Sequence, residues 1–375
     1  MSVVHDEIVE LIRREGPITF ERFQALCLYS KAGFYSSRTR PISSTFRTAP
    51  TTHPAFGAMI ARQLEEMWRL MDQPRVFHAI EVGSGDGALA RAVEQAVAAR
   101  FPDFARALCY VASDYAPVWP ESPIYLDESV PPAASPGAVQ RVRAQGIDPF
   151  RGVRGCILSN ELLDNFPVHR FEVCGGRLRE VFVTVDEDRF VEVLAEPSTP
   201  HIEERLRDVA ADLHEGQRGE VCLALDAWVD RVAHTLDRGF VLTIDYGQRA
   251  DALYSAANAE GTLRCFRDHA FSEDPYVHAG EQDITTDVDF TALTAAGEQR
   301  GLLTVGYSTQ RAFLERLGFA ALFDEVASSG LSGARVSLRQ QAMLGLVEEA
   351  QMGDFKVLVQ STGLPPDIRL TGFAS

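Results

Sequence analysis

The amino-acid sequence predicts an α/β protein: a mostly parallel, doubly wound sheet preceded by a helical segment and interrupted by an antiparallel excursion. Three observations carry this. From residue 76 onward, short apolar runs alternate with helical patterns, the texture of βαβ units. The first of these runs, VFHAIEVG, leads straight into the glycine-rich turn GSGDG. Residues 168–196 instead alternate residue by residue around Gly175–Gly176, as half-buried strands joined by hairpins do.

The elements follow in chain order. Residues 3–14 form an amphipathic helix with Val4, Ile8, Leu11 and Ile12 on one stripe. Further helices are expected at about 18–28 and 54–72, separated by a polar loop, GFYSSRTRPISSTFRTAPTTHP. A loop of that length in a compact domain usually has a task, such as lining a site. Strand VFHAIEVG (76–83), helix 87–101 and strand ALCYVASD (107–114) make the first βαβ unit. AVQRVRAQ (138–145) is a candidate third parallel strand. Further strands are expected at VRGCILSN (153–160), GFVLTIDYG (239–247), LLTVGYS (302–308) and FKVLVQST (355–362), with a helix near 289–300 before the third of these. Residues 308–352 read as helical with a break at SSGLSG (328–333). This organises the chain as a helical cap at 1–75, a first core segment at 76–167, inserted strands and a helix at 168–219, and the rest of the core at 220–375 with a helical insertion at about 308–352.

Composition narrows the function classes. Lys and Arg number 36 against 53 Asp and Glu, so the formal charge is 36 − 53 = −17. A surface that negative repels phosphate backbones and anionic lipid, which argues against nucleic-acid and membrane partners. No apolar run reaches the roughly 18 residues of a membrane span. Asp6, Glu7 and Glu10 near the N-terminus are unlike a signal or transit peptide. The six cysteines are scattered, with no CxxC and no Cys/His cluster, so neither a metal site nor a disulfide framework is indicated and a reducing cytoplasm is the expected compartment. The charge is compatible with a monomer or a homodimer.

The turn after the first strand carries the chemistry. Gly83, Gly85 and Gly87 sit between strand and helix, where glycine admits φ > 0 and lets a ligand approach the backbone. The next helix offers unpaired N–H groups at its start. The pattern G-x-G-x-G departs from the G-x-G-x-x-G of a dinucleotide pyrophosphate site. Glu81 lies in an otherwise apolar strand, where a carboxylate must be paired; a ligand ammonium or the N–H groups of the loop would serve. Asp114 closes the second strand, where an acid can hold ribose hydroxyls. Glycines of this kind also serve strand–helix packing alone.

Asn160, Glu161 and Asp164 follow the buried strand 153–160. In a doubly wound sheet that end borders the ligand crevice, although Asn160 and Asp164 could equally cap a short helix. Asp245-Tyr246-Gly247 ends the next strand, either as a turn or as the wall of an acceptor pocket. His269 and His278 are isolated and read more simply as packed or surface histidines.

Several segments together resemble the MidA-type methyltransferases, which include the mitochondrial complex I assembly factor that methylates arginine. They are GFYSS (33–37), FRTAP (46–50), Phe56-Gly57, IEVGSGDGALA (80–90), Asp114 with Pro117, NELLDNFPV (160–168), DYG (245–247), GTLRCFRDHAF (261–271), GEQDITTDVDF (280–290) and MGDFKVL (352–358). The resemblance runs nearly end to end. It implies a class I S-adenosylmethionine (SAM) methyltransferase core, Rossmann-like, with an N-terminal helical cap and an inserted excursion. It implies SAM as cofactor and S-adenosylhomocysteine as product, held by Glu81, Gly83, Ser84, Gly85, Asp114, Tyr115 and Asn160. Glu161, Asp164 and Tyr246 are the candidate catalytic residues facing the acceptor, with Glu161 as proton acceptor. Phe34, Tyr35, Phe46, Thr48, Phe266 and His269 are the candidate acceptor-binding residues, the aromatics among them reading equally as core. No metal is implied.

The chain departs from that family in four places. The loop reads G-S-G-D-G instead of G-P-G-R-G. Pro50 is followed by Thr51 where the family has Glu. Asp114-Tyr-Ala-Pro replaces E-x-S-P, and Asp164-Asn165-Phe166-Pro167 replaces D-A-L-P. Without the cap Glu one partner for a guanidinium is missing. The sequence therefore favours a small-molecule acceptor, such as an electron-rich indole or phenol. Protein arginine, as in the family's mitochondrial member, and a non-catalytic assembly role are the alternatives.

Overall fold

The computed structural model describes residues 2–36, 48–114, 124–125, 147–148, 150–209, 211–268, 270–328, 330 and 332–374. The chain forms two compact units. One comprises Arg47–Leu162, Val229–Tyr246 and Gly297–Ser375; the other comprises Met1–Phe46, Leu163–Trp228 and Gly247–Ala296.

The first of these units is built on a six-stranded sheet. Its strands are β1 (Phe77–Val82), β2 (Leu108–Ser113), β3 (Val153–Asn160), β4 (Leu236–Asp245), β5 (Leu303–Thr309) and β6 (Lys356–Thr362). They lie side by side in the order β5-β6-β4-β3-β1-β2. The pairs β1·β2, β1·β3 and β3·β4 are parallel, and β6 runs antiparallel to both β4 and β5. All six residues of β1 are buried, as are those of β2. This is why both read as continuous apolar runs instead of alternating ones. Helices Ala55–Leu70 and Ala88–Arg100 bring Phe56, Ile60, Leu64, Leu89, Val93 and Val97 into the same core as Phe77, Ala79, Tyr110, Leu242 and Val357. Helices Gln310–Arg316, Phe319–Ala327 and Gly333–Leu344 follow β5, the first two adding Phe313, Leu314 and Phe319 to that core. The candidate strand at 138–145 lies outside the described residues.

The second unit opens with the helix Val3–Glu15, capped by the Ser2 hydroxyl accepting from His5 N at 3.1 Å. It buries Val4, Ile8, Val9 and Ile12, with Leu11 at the margin of the core. The helix Phe20–Tyr29 packs Phe20, Phe23 and Cys27 into the same cluster. The antiparallel sheet predicted for 168–196 is present as His169–Cys174, Arg177–Asp186 and Arg189–Ala195, joined by short edge strands Ile18–Thr19 and Arg218–Val221. Gly175 and Gly176 turn the first hairpin with φ of 62° and 68°, the left-handed pair that a two-residue hairpin requires. A further three-stranded sheet, Arg264–Arg267, Ala270–Ser272 and Asp283–Thr285, was not expected. Its strands are three or four residues long and two of them carry charge, so no apolar period marks them.

No helix among the described residues is long and apolar enough to cross a membrane.

Candidate cofactor and acceptor site

The unit with the parallel sheet gathers most of the predicted site residues at the carboxyl ends of β1 to β4. Glu81 is the penultimate residue of β1 and is buried. Its Oε2 accepts the Tyr110 hydroxyl of β2 at 2.8 Å. A charge-assisted bond of this kind stabilises a buried carboxylate by about 1.5–3 kcal/mol. Tyr110 is thus a partner that sequence reasoning did not find, because its role depends on two strands lying side by side.

After Val82 the backbone turns through Gly83, Gly85 and Gly87, with φ of 78°, 54° and 75°. All three lie in the left-handed region. At Gly83 an added Cβ would lie 2.9 Å from Leu162 Cδ1, whereas at Gly85 it would meet nothing within 4 Å. The Ser84 amide donates to the Ser113 carbonyl at 3.0 Å, tying the turn to the residue before Asp114. Asp86 Oδ1 accepts from Ala88 N at 2.9 Å at the start of the helix, and Arg91 donates to the Asp86 carbonyl at 2.6 Å. The acid at the position where the resembling family has Arg therefore holds the first amide of the helix that follows, beside the N-cap Gly87.

At the end of β3, Asn160 is buried and its Nδ2 donates to Glu161 Oε1 at 2.9 Å. Asn160 Oδ1 is buried with no hydrogen-bond partner among the described residues. A buried amide oxygen left unpaired costs about 1–3 kcal/mol; a donor on a ligand would satisfy it. Glu161 has φ of 51°, a conformation that non-glycine residues rarely adopt and that costs about 1–3 kcal/mol at such sites. Its amide donates to the Ile244 carbonyl at 2.9 Å, and its Oε1 also accepts from Ala49 N at 3.1 Å. Ala49 begins the short helix Ala49–Thr52. Thr48, a predicted acceptor contact, donates its amide to Thr51 Oγ1 at 3.0 Å, and the two hydroxyls are 3.1 Å apart. Thr51 thus spends its side chain on the helix start. Tyr246, at the end of β4, packs against Phe355 with ring centroids 5.3 Å apart.

The other unit holds Phe34, Tyr35, Asp164 and Phe266. Tyr35 donates its hydroxyl to Asp283 Oδ1 at 2.9 Å and accepts from Asn165 Nδ2 at 3.2 Å. Burial pushes its phenol well above the usual range, and the Asp283 carboxylate adds to this. Tyr29 stacks on Tyr35 at 5.7 Å and donates to Asn165 Oδ1 at 2.8 Å. Asn165 Nδ2 also donates to Asp164 Oδ1 at 3.2 Å, and Thr286 N donates to the Asp164 carbonyl at 2.8 Å. Phe34 meets Tyr35 edge-on at 5.1 Å and packs against the helical core. Phe266 faces the exposed Phe271 across its hairpin. Tyr115, Phe46 and His269 lie outside the described residues.

The residues at the strand ends fit a nucleoside carrying an amino acid: a glycine turn with open space at Gly85, an acid after β2, and an unpaired buried amide oxygen at Asn160. Residues 59–308 match the model of a family described as S-adenosyl-L-methionine-dependent methyltransferase. The protein arginine methyltransferase NDUFAF7 homolog, mitochondrial, of Drosophila melanogaster is 27% identical over 93% of this chain and 82% of its own length. The Homo sapiens protein arginine methyltransferase NDUFAF7, mitochondrial, is 26% identical over 92% and 79%. A crystal structure of a superfamily member from Burkholderia thailandensis bound to S-adenosyl-homocysteine matches with a TM-score of 0.83 at 28% identity, covering 99% of this chain and 94% of that one.

Proposed function

Since this chain belongs to the S-adenosyl-L-methionine-dependent methyltransferase family and has its class I α/β fold, we propose that it methylates a nitrogen of an acceptor, with the guanidinium of a protein arginine as the first acceptor class. The observation that carries this reading is Glu161, a carboxylate held in a left-handed backbone conformation at the end of β3 with one oxygen already fixed by Ala49 N and Asn160 Nδ2. The names of the relatives from Drosophila melanogaster and Homo sapiens support the arginine class.

SAM, when bound, supplies an electrophilic methyl group on a sulfonium whose departure leaves a neutral thioether. Gly83, Ser84 and Gly85 would hold its amino-acid portion, with Asn160 Oδ1 accepting from the ammonium and Asp114 taking the ribose hydroxyls. The chain's remaining task is to orient the acceptor, exclude water and take one proton. Glu161 is suited to the last: a carboxylate bonded to an acceptor N–H aligns that nitrogen, raises its nucleophilicity and receives its proton. Tyr246 would wall the same strand end.

A second reading, a small-molecule acceptor, is supported by Thr51. It stands where the resembling family has Glu, and it caps its own helix, so it offers a guanidinium no charge. Labelled SAM incubated with separate protein and small-metabolite fractions of a cell lysate decides between the two. Label on protein arginine supports the first; label confined to small metabolites overturns it in favour of the second. The cytoplasm remains the expected compartment, although the relatives are named as mitochondrial.

A further inference from the structure

The strand β4 ends on a carboxylate to which methyl transfer assigns no task. Asp245 is fully buried. Its Oδ2 accepts the Leu162 amide at 3.1 Å, and its Oδ1 accepts the amide of Tyr246 at 3.0 Å. One residue back, the Ile244 carbonyl accepts the Glu161 amide at 2.9 Å. Two successive amides of the turn after β3 are therefore fastened to the end of β4. Between them sits Glu161 at φ 51°, a conformation that persists only where its surroundings over-determine it. Leu162, the residue Asp245 holds, lies against Gly83, where an added Cβ would be 2.9 Å from Leu162 Cδ1.

We infer that Asp245 is a positioning residue: through the Leu162 amide it fixes the strained Glu161 turn, and through the Leu162 side chain it seats the first glycine of the cofactor loop. It need touch neither cofactor nor acceptor. Its two oxygens are matched to two amide donors from different segments. Asn offers only one accepting oxygen and presents an N–H₂ to the other amide. Ala offers none. The residue type follows from this geometry, since a neutral side chain of the same shape cannot hold both amides. The inference rests on Gly83–Gly87 being the cofactor loop, but not on the identity of the acceptor.

The test is calorimetric titration of the full chain with S-adenosylhomocysteine, well below the melting temperature. Asp245→Asn is expected to weaken binding about tenfold, and Asp245→Ala further. Leu162→Ala should weaken it comparably, and Asp245→Asn with Leu162→Ala should be no worse than the weaker single variant, because both break one chain of contacts. Hydrogen exchange adds a local readout. The Leu162 amide should exchange faster in Asp245→Asn while the amides of β1 keep their protection, a pattern that general destabilisation does not give. Binding within twofold of wild type for Asp245→Asn, or strictly additive losses in the double variant, overturns the inference. If Asp245→Asn does not fold, Leu162→Ala decides: wild-type affinity overturns it. Gly85→Arg separates the two levels. If it binds S-adenosylhomocysteine normally, the cofactor-loop reading fails. If it does not bind while Asp245→Asn does, only the role of Asp245 fails.

Discussion

Gly83 and Gly85 are two residues apart in one turn, yet alanine should do different things at each. Both have φ in the left-handed region, 78° and 54°, where an L-residue costs about 1–2 kcal/mol. Reduced freedom of the unfolded chain returns about 0.4–1 kcal/mol of that. At Gly83 the new methyl would sit 2.9 Å from Leu162 Cδ1, and overpacking of this kind adds about 1–3 kcal/mol. Gly83→Ala should therefore lose about 2–4 kcal/mol of stability. At Gly85 nothing lies within 4 Å of the added atom, so the stability loss should stay near or below about 1 kcal/mol. That open space is where the cofactor would approach the backbone. Gly85→Ala should then weaken S-adenosylhomocysteine binding by about 30-fold, or about 2 kcal/mol. Chemical denaturation measures the first quantity and calorimetric titration the second. If Gly85→Ala binds within twofold of wild type, the turn is a packing device and the assignment of the cofactor loop is refuted.

Other substitutions probe neighbouring parts of the site and the second unit. Tyr110→Phe removes the 2.8 Å bond to the buried Glu81 and should cost about 1–3 kcal/mol in denaturant unfolding; an unchanged midpoint would show that the bond contributes nothing. Glu161→Gln keeps an accepting oxygen for Ala49 and removes the proton acceptor; it should cut the methyl-transfer rate about 100-fold and leave S-adenosylhomocysteine affinity within about threefold, whereas equal losses in both would assign Glu161 to the cofactor instead. Asn160→Ala deletes the unpaired buried oxygen and should weaken the same ligand about tenfold, about 1.4 kcal/mol; unchanged affinity would leave that oxygen without a ligand role. Glu180 is buried, which pushes its carboxyl up, but hydrogen bonds from His169 and Ser198 outweigh this and hold it below its ordinary value of 4.5. An acid depressed in the folded state stabilises above its unfolded value, and that contribution is lost as pH falls below about 4.5 through its folded value. Glu180→Gln should thus be less stable at neutral pH and show a flatter acid limb below about pH 4.5; parallel acid limbs would refute the pairing.

The strands of the parallel sheet were legible because strands buried on both faces read as short, mostly apolar runs, with polar residues such as Glu81 and Asn160 as exceptions near their carboxyl ends. VFHAIEVG and VRGCILSN accordingly stand in the structure as Phe77–Val82 and Val153–Asn160. The helix Ala224–Thr235 was missed although Leu225, Trp228, Val229 and Val232 carry a helical apolar stripe and are buried; that signal was present and would have found it. The strands within 264–285 had no such signal, since they exist only through their pairing with one another. At the site the glycine turn was readable, because only glycine takes three left-handed positions in five residues without strain.

Local steric and hydrophobic rules act through neighbours in the chain, so the sequence by itself determined the α/β class, the glycine turn after the first strand and the acidic residues at the strand ends. The insertion of β6 between β4 and β5, the Tyr110 hydroxyl on Glu81, and the grip of Asp245 on Leu162 join residues distant in the chain. Such partnerships depend on which strand lies beside which and in what register, and a hydrogen bond exists only once both of its ends have been brought within about 3 Å, which tertiary structure alone decides.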